Sequence, residues 1–463
     1  MIKRIMSYIP AVGVPIVINF VLMYLYSGSM DPAEYGVLNI YMNTISLLYS
    51  LFLSFFQSAA LRFYSIKEIN QDERTFYSTY VFGNIIVTIV AFFIMFVVNM
   101  VLIQFDYITI AAAIGINALY QFDLNYYRLQ NEDKKYIIGK TATSVLTLVF
   151  FLVIYMIMTK MNYRSTLVSV YGSYFLLVMI ELFRNRNKLS FNSISLGLVK
   201  ESLLYGIPMV GVSIAGILVA NSDQYVLLHF LGEEAVGEYS LGYRISDSFI
   251  VNITLLILTV MTPELMRIYD QKGQSDGQVV LRKMINFNTW TTLPLVGASI
   301  VYAPYIINFV FPKYNGATEI MKLVVIASFF HGLSLFTCKP LELARKTTTL
   351  LWLLLITAAV NFLYNIVFIP IYGVNASAHS SIIAYITYNV LLICSAKRYM
   401  VVDFDVFYLI KNIAITLVTI ILAMIILKAW KINSIGILVV QILLCAVSYI
   451  ILSVGFKLFS LSE

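Results

Sequence analysis

Charge is what this sequence has least of. Only 12% of its residues are Asp, Glu, Lys or Arg, and 60% are hydrophobic. A soluble domain carries about 25% charged and about 45–50% apolar residues. A chain of 463 residues with so little charge cannot cover itself toward water, so its surface faces lipid. Cysteine is scarce as well. Cys338, Cys394 and Cys445 stand far apart in apolar stretches, with neither a CxxC pair nor HExxH, so neither a disulfide framework nor a metal centre is expected. No GxxxxGKS/T segment occurs, which argues against a Walker-type ATPase. MIKRIMSYIP runs straight into an apolar stretch without a small-residue cleavage site, so no removable signal peptide is expected. Polar stretches long enough for a sizeable soluble domain are missing too. The chain is expected to be neither an enzyme nor a cofactor carrier.

What the sequence has is apolar runs of membrane-spanning length. They fall at about 5–26, 36–61, 76–101, 107–127, 137–159, 165–183, 203–228, 237–261, 286–310, 317–338, 348–370, 374–395, 407–428 and 433–456. The expected fold is all-α and polytopic, with about fourteen transmembrane helices. With the N-terminus inside, about 24 of the 31 Lys and Arg fall in cytoplasmic segments, so the positive-inside rule puts both termini in the cytoplasm. The net charge of +7 has the same origin. It is spread over many short loops, and no nucleic-acid partner is implied.

The chain also repeats itself. Ile9-Pro10-Ala11-Val12-Gly13-Val14-Pro15-Ile16 opens the first span, and Ile207-Pro208-Met209-Val210-Gly211-Val212-Ser213-Ile214 opens the seventh. The following loops also match, Ala33-Glu34-Tyr35-Gly36 with Gly237-Glu238-Tyr239-Ser240. An even number of spans between copies gives both the same topology, a parallel pseudo-repeat. The expected organisation is a six-helix lobe at 1–190, a second at 191–400, and two further helices at 401–463. The break falls in the polar stretch Arg184–Lys200.

Several short motifs share one source. Asp31-Pro32-Ala33-Glu34-Tyr35-Gly36, Arg62-Phe63-Tyr64, Tyr205-Gly206-Ile207-Pro208, Asp223, Gly237-Glu238-Tyr239-Ser240-Leu241 and Ile369-Pro370-Ile371-Tyr372-Gly373 resemble the polysaccharide biosynthesis, or O-antigen, flippases. These are members of the multidrug/oligosaccharidyl-lipid/polysaccharide exporter superfamily. Gly373-Val374-Asn375-Ala376-Ser377 departs from the family's small-residue run, which weakens transfer of residue roles there. The resemblance implies a MATE-like fold in the bacterial inner membrane and an undecaprenyl-pyrophosphate-linked oligosaccharide as cargo. Membrane lipids are its surroundings, H+ or Na+ a counter-ion, and a polysaccharide polymerase and chain-length regulator its partners.

Polar residues inside lipid are costly, so their pattern marks either a cavity or helix packing. Asn39, Asn43, Ser46, Ser50, Ser54 and Gln57 recur at steps of three and four along span 2. Asn117, Gln121, Asn125 and Arg128 do so in span 4, and Arg244, Ser248 and Asn252 in span 8. Arg62 and Arg128 end spans on the cytoplasmic side, as topological anchors do, and are also candidates to bind a pyrophosphate. Arg244 lies about two turns into its span, where topology asks for no positive charge. It is the main candidate for the substrate path, or else the partner of Asp223 or Asp247. Asp223, Asp247 and His331 are candidates for ion coupling or for structural pairing.

Three rivals are weaker. A drug antiporter of the same superfamily carries a membrane carboxylate in its first lobe; span 1 offers only Asn19 as a strongly polar interior residue, Asp31 lies in the loop, and Asp123 near the inner end of span 4. The peptidoglycan lipid flippase carries arginines in span 1, and none lies between Pro10 and Tyr26. A polysaccharide polymerase or ligase commonly needs a large outer loop, and no such loop is expected here.

Overall fold

A computed structural model describes residues 2–67, 73–101, 106–130, 132–158, 160–456 and 458. Among them every regular element is helical: α1 (Ile2–Ser29), α2 (Pro32–Phe52), α3 (Ser54–Lys67), α4 (Glu73–Val101), α5 (Tyr107–Leu129), α6 (Asp133–Met158), α7 (Tyr163–Arg184), α8 (Leu196–Leu231), α9 (Glu233–Lys272), α10 (Gln274–Val310), α11 (Ala317–Thr337), α12 (Lys339–Leu343), α13 (Thr347–Tyr372), α14 (Asn375–Ala396), α15 (Val406–Ala429) and α16 (Ile435–Gly455). Each of the fourteen apolar stretches falls on one of these helices, or on the pair α2–α3. Among the described residues eleven helices are long and apolar enough to cross a membrane, and twelve if α2–α3 counts as one bent span. The described part of α1 adds an apolar run at Gly13–Ser29. Lipid-facing surface is evident on the outer helices, where Met156 is 81% and Phe407 75% exposed.

The helices group into two compact units. One comprises Ile9–Met30 and Val37–Asn221; the other comprises Asp31–Gly36 and Ser222–Glu463, with Met1–Tyr8. In the N-terminal unit α5 is central, touching α3, α4, α6 and α7. In the C-terminal unit α11 is central, touching α9, α10 and α14. Counted as spans, α5 is the fourth and α11 the tenth. Their neighbours α3, α4 and α7 correspond to α9, α10 and α14, six spans later in each case. The same packing scheme thus occurs twice with the same topology, as a parallel repeat requires. Centrality also explains why α5 tolerates Asn117, Gln121, Asp123 and Asn125: its neighbours are helices on several sides, not lipid. The two additional helices lie against α10. There Tyr449 bonds the Trp290 carbonyl at 2.8 Å.

Two expectations need correction. Span 2 is not one helix with one polar face. It breaks at Leu53 with a bend of 54°. The Ser54 hydroxyl donates to the Ser50 carbonyl at 2.6 Å, so a side chain occupies an acceptor of the backbone ladder. Asn39 and Asn43 therefore lie on a different helix from Gln57. The two repeated loops, moreover, are not loops. Pro32 stands at the first position of α2, where its missing N–H costs nothing. Gly232, at φ +84°, starts α9, and Glu233 and Glu234 in its first turn suit the positive helix end.

Within the C-terminal unit these two helix starts cross. A Cβ on Gly36 would collide with the Glu233 carbonyl oxygen, and one on Gly237 with the Pro32 carbonyl oxygen. Only glycine allows backbones this close. The crossing is fastened at its edges. Tyr35 meets Tyr314 edge-on at 5.7 Å. Asp31 lies 3.9 Å from Lys313, and Glu238 accepts from the Gly316 N–H at 3.0 Å. Burial pushes the Tyr314 phenol up from its ordinary range.

The polar stretch between α7 and α8 is no free linker. Ser78 donates to the Lys188 carbonyl at 2.7 Å and accepts from the Ser190 N–H at 3.0 Å. Thr79 accepts from the Ser195 N–H at 3.0 Å. Two turns of 3-10 helix, Arg186–Lys188 and Phe191–Ser193, are thereby docked on α4.

Candidate functional site

In the N-terminal unit the polar stripes meet one another. Gln57 on α3 donates to the Ala118 carbonyl at 2.9 Å and accepts from Asn125 at 3.4 Å, both on α5. Gln121 and Asn117 interact along α5 at 3.5 Å. Asn39 and Asn43 on α2 are buried. Gln57 and Asn125 thus join helices, as polar side chains do between packed membrane helices. Arg128 is exposed, with its guanidinium 5.2 Å from the centre of the Tyr136 ring, a cation–π contact. The side chain of Arg62 lies outside the described residues.

Near that end of the unit is a cluster that the stripes did not reveal. Glu73 accepts from Tyr126, from Gln130 at 2.7 Å and from Lys188 at 2.8 Å. Asp123 is buried and accepts from Tyr77 at 3.4 Å. The residues come from α4, α5 and the docked 3-10 segment, so no helical period on one element could show them.

The C-terminal unit carries a larger polar interior. Asp223, late in α8, is 1% exposed. One of its oxygens accepts from the Tyr239 hydroxyl of α9 and the other from the Gln224 N–H at 2.9 Å. Tyr239 also lies 3.4 Å from the Ser381 hydroxyl of α14, and Ser240 donates to Gln224 at 3.0 Å. Asn361 of α13 joins the same region. It accepts from Ser222 and Asn365, both at 3.1 Å, and donates to Ser380 at 3.2 Å. Truncating Asn361 to Ala removes three buried bonds. The expected loss is about 1–3 kcal/mol, visible as a lower melting temperature in detergent size-exclusion traces. An unchanged temperature would show that the network is not structural. Asn361 and Asn365 stand four apart in span 11, a helical spacing of polar residues that is legible in the sequence.

Farther along α9, Arg244 is exposed and Ser248 and Asn252 are part-buried, opposite the face of Ile245, Ser246 and Ile250 that packs inward. Asn252 donates to the Ser248 carbonyl at 3.3 Å. Asp247 accepts from Ser328 of α11 at 3.3 Å and faces His331. Of the sequence candidates, Asp247 of α9 and His331 of α11 are therefore brought within 3.9 Å of each other, while Asp223 accepts from Tyr239 and Gln224. Among the described residues no group of three or more His, Cys, Asp or Glu side chains could hold a metal ion.

A sequence profile of polysaccharide biosynthesis proteins matches residues 30–318, more than half of the chain. The chain belongs to this polysaccharide biosynthesis family. A search of curated protein sequences gives no match. Among solved structures, a lipid II flippase MurJ in an inward closed conformation is similar at 14% identity, with 99% of each chain covered and a TM-score of 0.78. An inward-facing multidrug resistance MATE transporter of the MOP superfamily is 13% identical, covering 84% of this chain and 98% of its own, with a TM-score of 0.65. An outward-facing one covers 86% and 95% at 13% identity, with a TM-score of 0.59. At such identities the likeness is one of fold. This polysaccharide biosynthesis protein is a multi-pass membrane protein with a MurJ/MATE-like fold, and its fold neighbours are flippases and transporters.

Proposed function

We propose that the chain is a flippase that carries an undecaprenyl-pyrophosphate-linked oligosaccharide across the bacterial inner membrane by alternating access, for assembly of O-antigen or capsule. The observation that carries this reading is the family match joined to end-to-end similarity with a lipid II flippase. Lipid II itself is disfavoured as cargo, because span 1 lacks arginine between Pro10 and Tyr26. The pyrophosphate needs positive partners along its path, and Arg suits this because its planar fork stays charged. Arg244 is the first candidate, with Arg62 and Arg128 toward the cytoplasmic end. Asn39, Asn43, Asn117, Gln121, Ser248 and Asn252 are the proposed polar lining. Gln57 and Asn125 take a packing role. ATP is unnecessary, since an anion moving outward from an inside-negative interior gains about 2.3 kcal/mol per charge per 100 mV. A counter-ion, and a polymerase with its chain-length regulator, complete the proposed partners. The proposed lobes are 1–190 and 191–400, with two further helices at 401–463.

Deletion of the gene is the test. Surface glycan should disappear and lipid-linked repeat units should accumulate facing the cytoplasm. Normal surface glycan with raised drug sensitivity would favour a multidrug antiporter, the reading that the MATE neighbours support. Both termini are proposed to be cytoplasmic. Reporter fusions after Lys188 and Lys283 should read cytoplasmic, and fusions at Glu34 and Glu234 periplasmic. Reversal at two of these sites would sink the orientation.

A further inference from the structure

Helices α11 and α14 of the C-terminal unit run side by side in the same direction and end together. Their contacts advance in step. His331 stacks on Tyr385 with centroids 4.5 Å apart, and Thr337 donates to Asn389 at 2.9 Å. Past both helix ends, the Lys346 ammonium stands 5.6 Å from the centre of the Tyr399 ring. Arg345, Lys346, Lys397 and Arg398 are thereby gathered at one end of the unit, and all four are exposed. The carboxylate beside them, Glu342, is held by Lys339 at 2.6 Å. Among the described residues no ion pair engages any of the four cations. Arg345 is also the one non-glycine residue at positive φ among the described residues, at 56°. It sits where α12 turns toward α13, and the Lys346 N–H returns to the Leu341 carbonyl at 2.8 Å. Glycine is the favoured residue at such a turn. A cation that only sets topology needs no particular position in its loop, yet a guanidinium occupies this one.

The surface next to these cations is apolar and open to lipid. On α14 the exposed positions Ile386, Val390, Cys394 and Lys397 recur every three or four residues, so Lys397 ends an outward stripe. On α13, which packs on α14, Trp352 is 62% exposed and Leu355 and Ile356 lie one turn further on. A matching ligand has an anionic head and a long apolar tail. A soluble anion would leave the stripes unused. Four cations without carboxylate partners exceed what one phosphodiester neutralises, and they suit a pyrophosphate, whose oxygens the forks of Arg345 and Arg398 can grip in pairs.

We propose that Arg345, Lys346, Lys397 and Arg398 form a docking site for the pyrophosphate of a polyprenyl lipid, its tail lying along the outer face of α13 and α14. Its use as the place where cargo is captured from the leaflet rests on the flippase reading; the binding itself does not. Full-length protein in detergent is titrated with radiolabelled undecaprenyl pyrophosphate. Arg244→Ala serves as the parent, so that the proposed substrate path does not mask the site. R345Q/R398Q should weaken binding about tenfold or more. Arg345→Gly separates binding from folding. It removes a cation and gives the turn its favoured residue, so affinity should fall about fivefold while the melting temperature does not fall. Parental affinity in either variant overturns the proposal. So does displacement of the label by an equal concentration of phosphatidylglycerol, which would make the cluster a general anchor for anionic lipid, or of inorganic pyrophosphate, which would make it a site for soluble anions. If deleting the gene leaves surface glycan intact, the cargo reading fails and the affinities still decide the site. If glycan is lost but R345Q/R398Q binds like its parent, the site alone fails.

Discussion

Replacing Gly237 by Leu should abolish export. At the crossing of α2 and α9 each glycine faces a backbone carbonyl of the other helix, not the tip of a flexible side chain. A flexible neighbour could rotate away, but a carbonyl within a helix moves only if the helix moves. Overpacking a tight core costs about 1–3 kcal/mol even where side chains can adjust. Here the first turn of α2 has to leave the C-terminal unit. Lifting it would also strain the contacts of Tyr35 with Tyr314 and of Asp31 with Lys313. Gly36→Leu should behave alike, and the alanine variants should be milder in the same order. Surface glycan in a complemented deletion strain, normalised to protein level, is the measurement. Wild-type export by Gly237→Leu would show that the crossing need not form.

The second large effect is expected at Arg244. Arg244→Ala should lower export about tenfold to a hundredfold, the range for losing a charge-assisted bond worth about 1.5–3 kcal/mol. Arg244→Lys should keep part of it, because the charge survives while the planar fork does not. Protein level should be normal in both. The competing role is structural, as partner of an aspartate. In that case Arg244→Ala should lower the protein level, and removing the carboxylate as well should restore it. Asp223 already accepts from Tyr239 and Gln224, and Asp247 from Ser328.

Much of the fold could be read from composition and apolar length, because lipid demands about 20 apolar residues per helix wherever one crosses. The repeat was legible too, and the packing of α5 and α11 shows it independently of the matching strings. Less visible were features that depend on contacts between elements. The break at Leu53 leaves the hydropathy of span 2 unchanged, so apolar length does not show it. Helix starts at Pro32 and Glu233 were hidden because polar, glycine-containing turns look alike whether they coil or cross. Asp223 and Tyr239 are partners across a hairpin, and Ser222 and Asn361 across 139 residues. No single-helix period can report such pairs. His331 stands out in the sequence as a polar residue midway along an apolar run, and Asp247 as a candidate partner of Arg244 three residues on, but the proximity of His331 and Asp247 appears only when α9 and α11 pack.

The central claim is that this chain moves a lipid-linked oligosaccharide. Purified protein can be reconstituted into vesicles that carry undecaprenyl-pyrophosphate-linked oligosaccharide in both leaflets, under an imposed pH gradient. A membrane-impermeant glycosidase then reports how much glycan reaches the outer surface. The account predicts that the inner-leaflet fraction becomes accessible with the wild-type chain, far more slowly with Arg244→Ala, and not in empty vesicles. An inner-leaflet fraction that stays protected in the presence of folded wild-type protein, with the gradient verified, would contradict it.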